Sequence, residues 1–200
     1  MTVVGGFSAK ALKTLSRVGS VRRVTAGDAP GLSLKLASAA AGSSRRVVYV
    51  VSSGNATAMA SAAMAAARSR GYLLAVSKTP SATAVRFTKA HASRTVVVAG
   101  KKEISNAAAS VLRKPVRLGA QNPVTRSSRL AALGPRHGQA ILVDAARPMA
   151  AAAAAASRQA VLFVQGSAGK AVKFVQSSPA IAVLRSVGAD PSVVSAVRRA

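Results

Sequence analysis

The side chains able to do chemistry in this 200-residue chain are overwhelmingly cations: 29 Lys and Arg stand against four acids, Asp28, Glu103, Asp144 and Asp190, giving a formal net charge of +25. So few carboxylates leave little for paired-acid catalysis, a metal cage or a nucleophile–histidine–acid triad. His91 and His137 have no acid close by in sequence and read as surface or satisfied histidines. Cysteine is absent, which removes disulfides and thiolate metal sites. No enzymatic activity, cofactor, metal or small-molecule substrate is expected. The chemistry that remains is recognition of an anion, and nucleic acid is the usual partner of a small protein this basic, because each neutralised phosphate releases a counterion.

The densest basic run, RKPVRLGAQNPVTRSSRLAALGPRHG, holds Arg113, Lys114, Arg117, Arg126, Arg129 and Arg136 without one acid. Its prolines and glycines predict a loop-rich surface suited to following a phosphate backbone. The other candidate contacts are Arg22, Arg23, Arg45, Arg46, Lys78, Arg86, Lys89, Lys101, Lys102, Lys170 and Lys173. Aromatics are only 3% of the chain, so base stacking and sequence-specific single-strand reading are not expected. GSAGKA, at 166 to 171, invites a phosphate-loop reading, but two residues rather than four separate Gly166 from Gly169, and Ala171 follows Lys170. Nucleotide hydrolysis is therefore unsupported. The amides there either make only a turn or hold one phosphate.

The elements that must position these cations are β-branched runs alternating with Ala/Ser-rich stretches of helical length. The runs are RVVYVV (46–51), YLLAV (72–76), RTVVVAG (94–100), PVRLGA (115–120), QAILVDA (139–145), AVLFVQG (160–166) and AIAVLRS (180–186). Strands alternating with helices predict an α/β (α+β) fold. The helix from Ala56 to Arg70 has no charge before Arg68, so burial on most of its surface is expected, with Gly71 as its C-cap. PMAAAAAAASR, opening at Pro148, is its counterpart. Positions 47 to 67 are uncharged, but Ser52, Ser53, Gly54 and Asn55 interrupt them, which favours a strand and a helix over a membrane span. Asp190 and Pro191 read as the N-cap and first residue of a short terminal helix ending on Arg198 and Arg199.

Residues 1 to 45 are Arg- and Ser-rich and hold one acid, the composition of an organellar transit segment or a basic arm. Phe7, Leu12 and Leu15 set against Lys10, Lys13 and Arg17 predict an amphipathic turn or two. An arm with so little apolar mass cannot order itself, and a partner is expected to hold it.

AVRFTKA (84–90) has a near twin in AVKFVQS (171–177), 87 positions on, and each follows strand, helix, strand and turn. This predicts an internal duplication. The expected division is a basic extension at 1–45, a first unit at 46–93, a degenerate middle unit with the basic loop region at 94–138, a second unit at 139–186 and a C-terminal helix at 187–200.

The order of elements in ILVDAARPMAAAAAAASRQAVLFVQGSAGKAVKFV and in VVYVVSSGNATAMASAAMAAARSRGYLLAVSKTPSATAVRF resembles the stage V sporulation protein S family, whose members share the fold of the Alba chromatin and RNA-binding proteins. VVVAGKKEISNAAASVL looks like an Alba opening, with Gly100, Lys101, Lys102 and Asn106 in place. The resemblance implies repeated Alba-like β-α-β-α units and carries a nucleic-acid role onto Lys101 and Lys102. Together these observations predict a non-catalytic structural RNA-binding protein, a mitochondrial ribosomal protein of the matrix, partnered by rRNA and neighbouring proteins and without membrane contact. The alternatives are an accessory subunit of a mitochondrial membrane (respiratory) complex and an Alba-like nucleoid DNA-binding protein.

Overall fold

The structure is a computed structural model and describes residues 2–4, 8–118, 122–133, 138–146, 159–165, 169–178, 181, 183–187 and 189–199. In chain order the elements are β1 (Thr2–Val4), α1 (Ala9–Ser16), β2 (Arg22–Val24), α2 (Ala29–Ala40), β3 (Arg46–Ser52), α3 (Ala56–Ser69), β4 (Tyr72–Val76), α4 (Ala82–His91) and β5 (Ala92–Val97). There follow α5 (Asn106–Ser110), β6 (Pro115–Arg117), α6 (Pro123–Leu133), β7 (Gln139–Asp144), β8 (Ala160–Val164), α7 (Gly169–Gln176), β9 (Val183–Val187) and α8 (Pro191–Arg198). The fold is α/β. Among the described residues every strand pair is parallel, in three sheets ordered β1-β2, β4-β3-β5-β6 and β8-β7-β9.

The duplicated order is present: β3 lies between β4 and β5 as β7 lies between β8 and β9. The expected middle unit does not stand apart. β5 and β6 extend the sheet begun by β3, because Thr95–Val97 pair with Val48–Val50 on one side and with Pro115–Arg117 on the other. Nor is the N-terminal segment an extended arm. α2 lies on β4, with Ala37 buried and Leu34 packed against the first core. The alanine run opening at Pro148 lies outside the described residues.

α3 explains its own lack of charge. Ala62, Ala65 and Ala66 pack on the first sheet with Tyr49, Val51 and Val96. Ala60 and Met64, on another face, join Ile141, Val143 and Phe163 of the second sheet. A helix held between two sheets has no solvent face to carry charge. At its end, Arg70 rather than Gly71 takes the left-handed conformation (φ 51°). Gly71 is required for space: a Cβ there would run into the Val47 carbonyl oxygen, with Ser69 Oγ and a Tyr49 ring carbon at 3.1 and 3.2 Å.

Among the described residues, no helix is long and apolar enough to cross a membrane.

Candidate polyanion-binding edge

Parallel strands share one direction, so whatever precedes each strand collects along one edge of the sheet. In the four-stranded sheet that edge is basic. Arg70 precedes β4, Arg46 opens β3, Arg94 lies in β5 beside Val47, and Lys114 precedes β6. All four are exposed. With strands about 4.8 Å apart, they form a row of cations ~14 Å long, in the order Arg70, Arg46, Arg94, Lys114. Arg45 and Lys89 widen it, since Arg45 Nε donates to the carbonyl of Ala90 (3.3 Å) and Lys89 sits in the last turn of α4.

Part of this ridge serves the fold. Arg46 donates to the Arg70 carbonyl at the end of α3 (3.1 Å), where a cation complements the helix dipole, and lies 5.7 Å from the centre of the Tyr72 ring. The side chains of Arg70, Arg94 and Lys114 make no hydrogen bond or ion pair with the described residues. Arg70 and Lys114 (φ 43°) are also the two non-glycine residues with positive φ among the described residues. Glycine would be comfortable at both positions, and a long cation stands there instead.

The acids lie instead where strands end and helices begin, Asp144 and Asp190 at the ends of strands of the three-stranded sheet. Asp28 caps α2, accepting from Gly31 N at 2.8 Å. Asp190 caps α8, and hydrogen bonds from the Ser192 hydroxyl and then its amide hold its carboxyl below the usual range. Asp144 ends β7 and accepts from Ala146 N. Glu103 lies between the ends of β3 and β5, where chain order reverses and where open α/β sheets usually take ligands. Its carboxylate accepts from Gly100 N and from Nδ2 of Asn55, the N-cap of α3, both at 2.7 Å. No group of three or more His, Asp or Glu able to hold a metal occurs among the described residues.

Of the residues singled out from sequence, Arg45, Arg46, Lys89 and Lys114 come together on the ridge, and Arg113 is half-buried beside Lys114. Lys78, Lys101 and Lys102 are exposed on the opposite edge, in the loops after β4 and β5. Arg22 and Arg23 are exposed on β2, Arg86 on α4, Arg129 on α6, and Lys170 and Lys173 lie on α7. Arg136 lies outside the described residues.

Two assignments are corrected. Arg126 is 2% exposed, because α6 turns Arg126, Ser127, Leu130 and Ala131 inward. Burial lowers its pKa, opposed by the charge of Glu103, and it cannot reach a phosphate. Arg117 donates to the carbonyls of Ala99 (2.6 Å), Ile104 (2.8 Å) and Ser105 (3.2 Å), so its guanidinium ties down the loop after β5. Sequence reading missed Arg70 and Arg94. The available signal was positional: a cation stands at or just before the β-branched run in RVVYVV, RGYLLAV, RTVVV and KPVR.

No protein-family model matches this sequence, and no curated protein matches it. Among solved structures, Cwp8 from Clostridium difficile superimposes with a TM-score of 0.80 at 17% identity, over 99% of this chain and 37% of Cwp8. Cwp6 from Clostridium difficile gives a TM-score of 0.78 at 11% identity, over 98% of this chain and 35% of Cwp6. The likeness is one of fold, and this chain spans little more than a third of each.

Proposed function

We propose that the chain is a non-catalytic binding module for an extended polyanion, held along the strand-leading edge of its four-stranded sheet. The observation that carries this reading is the row Arg70, Arg46, Arg94 and Lys114: one exposed cation for each strand, two of them in left-handed backbone, on an edge without an acid. Charges this close reinforce one another within a Debye length of about 10 Å and favour a ligand with repeating charge over a single anion. In the nucleic-acid form of this reading the ligand is RNA, bound through its phosphates as part of a large assembly such as a mitochondrial ribosome, and the scarcity of aromatics makes binding indifferent to sequence. The same row of charges fits a second ligand with repeating phosphates, a phosphodiester-linked glycopolymer, through the same contacts.

The test is a salt titration of binding to single-stranded RNA and, in parallel, to a phosphodiester-linked glycopolymer. Replacing Arg46, Arg70, Arg94 and Lys114 together by Gln is expected to flatten the slope of log affinity against log salt for RNA by about 3. A Lys78, Lys101, Lys102 to Gln variant is expected to change it much less. Equal losses from both variants, or none from the first, would overturn the ridge as the binding edge, and the tighter of the two polymers identifies the ligand class.

A further inference from the structure

A second set of cations converges on a concavity away from the ridge. Between β2 and the helices α2 and α4 lies an open groove of about 640 Å³, within the ~300–1,000 Å³ of small-molecule sites. Arg22 and Arg23 line it from β2, Lys35 and Ser38 from α2, and Thr83 from α4. Buried Val24 and half-buried Leu34 supply an apolar part of the lining. Ser38 has a short side chain, so α2 leaves the groove open beside Lys35.

Lys35 is held in place and still has donors to offer. Its Nζ donates to the Thr25 carbonyl just after β2 (2.8 Å), which leaves two of its three N–H groups over. Arg22 and Arg23 are exposed, and their side chains make no hydrogen bond or ion pair with the described residues. Arg86 Nη2 donates to Thr83 Oγ1 (3.3 Å), which brings a further guanidinium to the α4 side. No acid lines the groove. Asp28 caps α2 about two turns before Lys35.

We infer that this groove is a separate, compact anion site that takes a multiply charged phosphate group, a phosphomonoester or a diphosphate carried by a small molecule or a chain end. Cations of one sign over apolar walls focus the field within a concavity, whereas the ridge spreads its charges along an exposed edge. Arg22 and Arg23 suit bidentate contact with phosphate oxygens, and Lys35 adds a point charge whose position is already fixed. A phosphodiester strand brings one charge per unit. A monoester or diphosphate brings more than one to the same place, which is what the convergence of three cations matches. Ser38 and Thr83 add hydroxyl donors. The site is independent of whether the ridge binds a polyanion.

The test is calorimetric titration of the full chain with inorganic pyrophosphate in about 0.15 M salt, where a Debye length of about 8 Å limits the influence of distant charges. Arg22→Gln combined with Arg23→Gln is expected to weaken binding about tenfold or more, as the loss of charge-assisted hydrogen bonds does. Ser38→Phe fills the groove without changing any charge and is expected to weaken it as much. The four-residue Gln variant of the ridge removes more charge, yet is expected to leave binding within about twofold. Adenosine diphosphate and glucose 1-phosphate, run as competitors, tell a nucleotide from a sugar carrier, and at least one is expected to displace pyrophosphate. No measurable binding, no effect of Ser38→Phe, or equal weakening by the ridge variant would overturn the site, and displacement by neither competitor would overturn its ligand class.

Discussion

At the scale of single residues, the turn between α3 and β4 couples stability to binding. Arg70 holds a left-handed conformation that suits glycine, and Gly71 fills a space that admits no Cβ. Gly71→Ala is therefore expected to cost about 1–3 kcal/mol, as overpacking does, read from the urea midpoint. Arg70→Gly should move stability the other way, by about 1 kcal/mol, because it relieves left-handed strain at a helix end. The same change removes one cation of the ridge and should weaken polyanion binding. A variant that is more stable and binds less tightly separates the two roles of the position; equal stability with unchanged binding would show that Arg70 has neither. The sequence places a glycine at this turn but not the division of labour, because the choice between positions 70 and 71 depends on how near Val47 approaches. Arg117 and Arg126 show the same limit: composition counts them as free charge, and only packing reveals that one ties three carbonyls and the other is buried.

At the scale of elements, strands were legible because β-branched runs bounded by small or charged residues are hard to place elsewhere; β3, β4 and β7 begin where those runs do. The duplication was legible too, but its spacing was not uniform. β3 and β7 begin 93 positions apart, whereas β4 and β8 begin 88 apart, so the twin phrases after them reported only the second half of the repeat. The middle segment looked like a separate unit because strand pairing is long-range, and nothing local tells β5 to lie beside β3. The two units also share a device that sequence alone does not display. A serine on the helix entering each unit, Ser33 or Ser127, accepts the outward-facing amide of an edge strand. Ser127→Ala leaves the buried amide of Phe163 without its partner and is expected to destabilise by about 1–3 kcal/mol. Ser127→Thr keeps an acceptor and should cost less. Hydrogen exchange at Phe163 checks the cause: protection should fall locally in the alanine variant, and a loss of stability without faster exchange there would point to packing instead.

At the scale of the whole molecule, the parallel arrangement sorts charge. The acids all lie where strands end and helices begin, and two of them, Asp28 and Asp190, cap helices; where strands start and helices end, cations stand alone. The dipoles of the helices thus account for where the acids sit but not for the excess of cations, since Arg94 and Lys114 answer no helix carbonyl. That excess makes the folded chain repel itself, and two kinds of stabilisation can be told apart. Simple salt screens the exposed cations without regard to position and should raise the thermal midpoint gradually. A polyanion that binds the folded edge should raise it at much lower concentration, adding about 2.7 kcal/mol of stability when present at one hundred times its dissociation constant. The four-residue Gln variant of the ridge should lose most of the second effect and only part of the first, because it removes four cations of the many. If the polyanion stabilises that variant as well as the parent chain, the charge acts as a diffuse cloud and the strand-leading edge has no special place in binding.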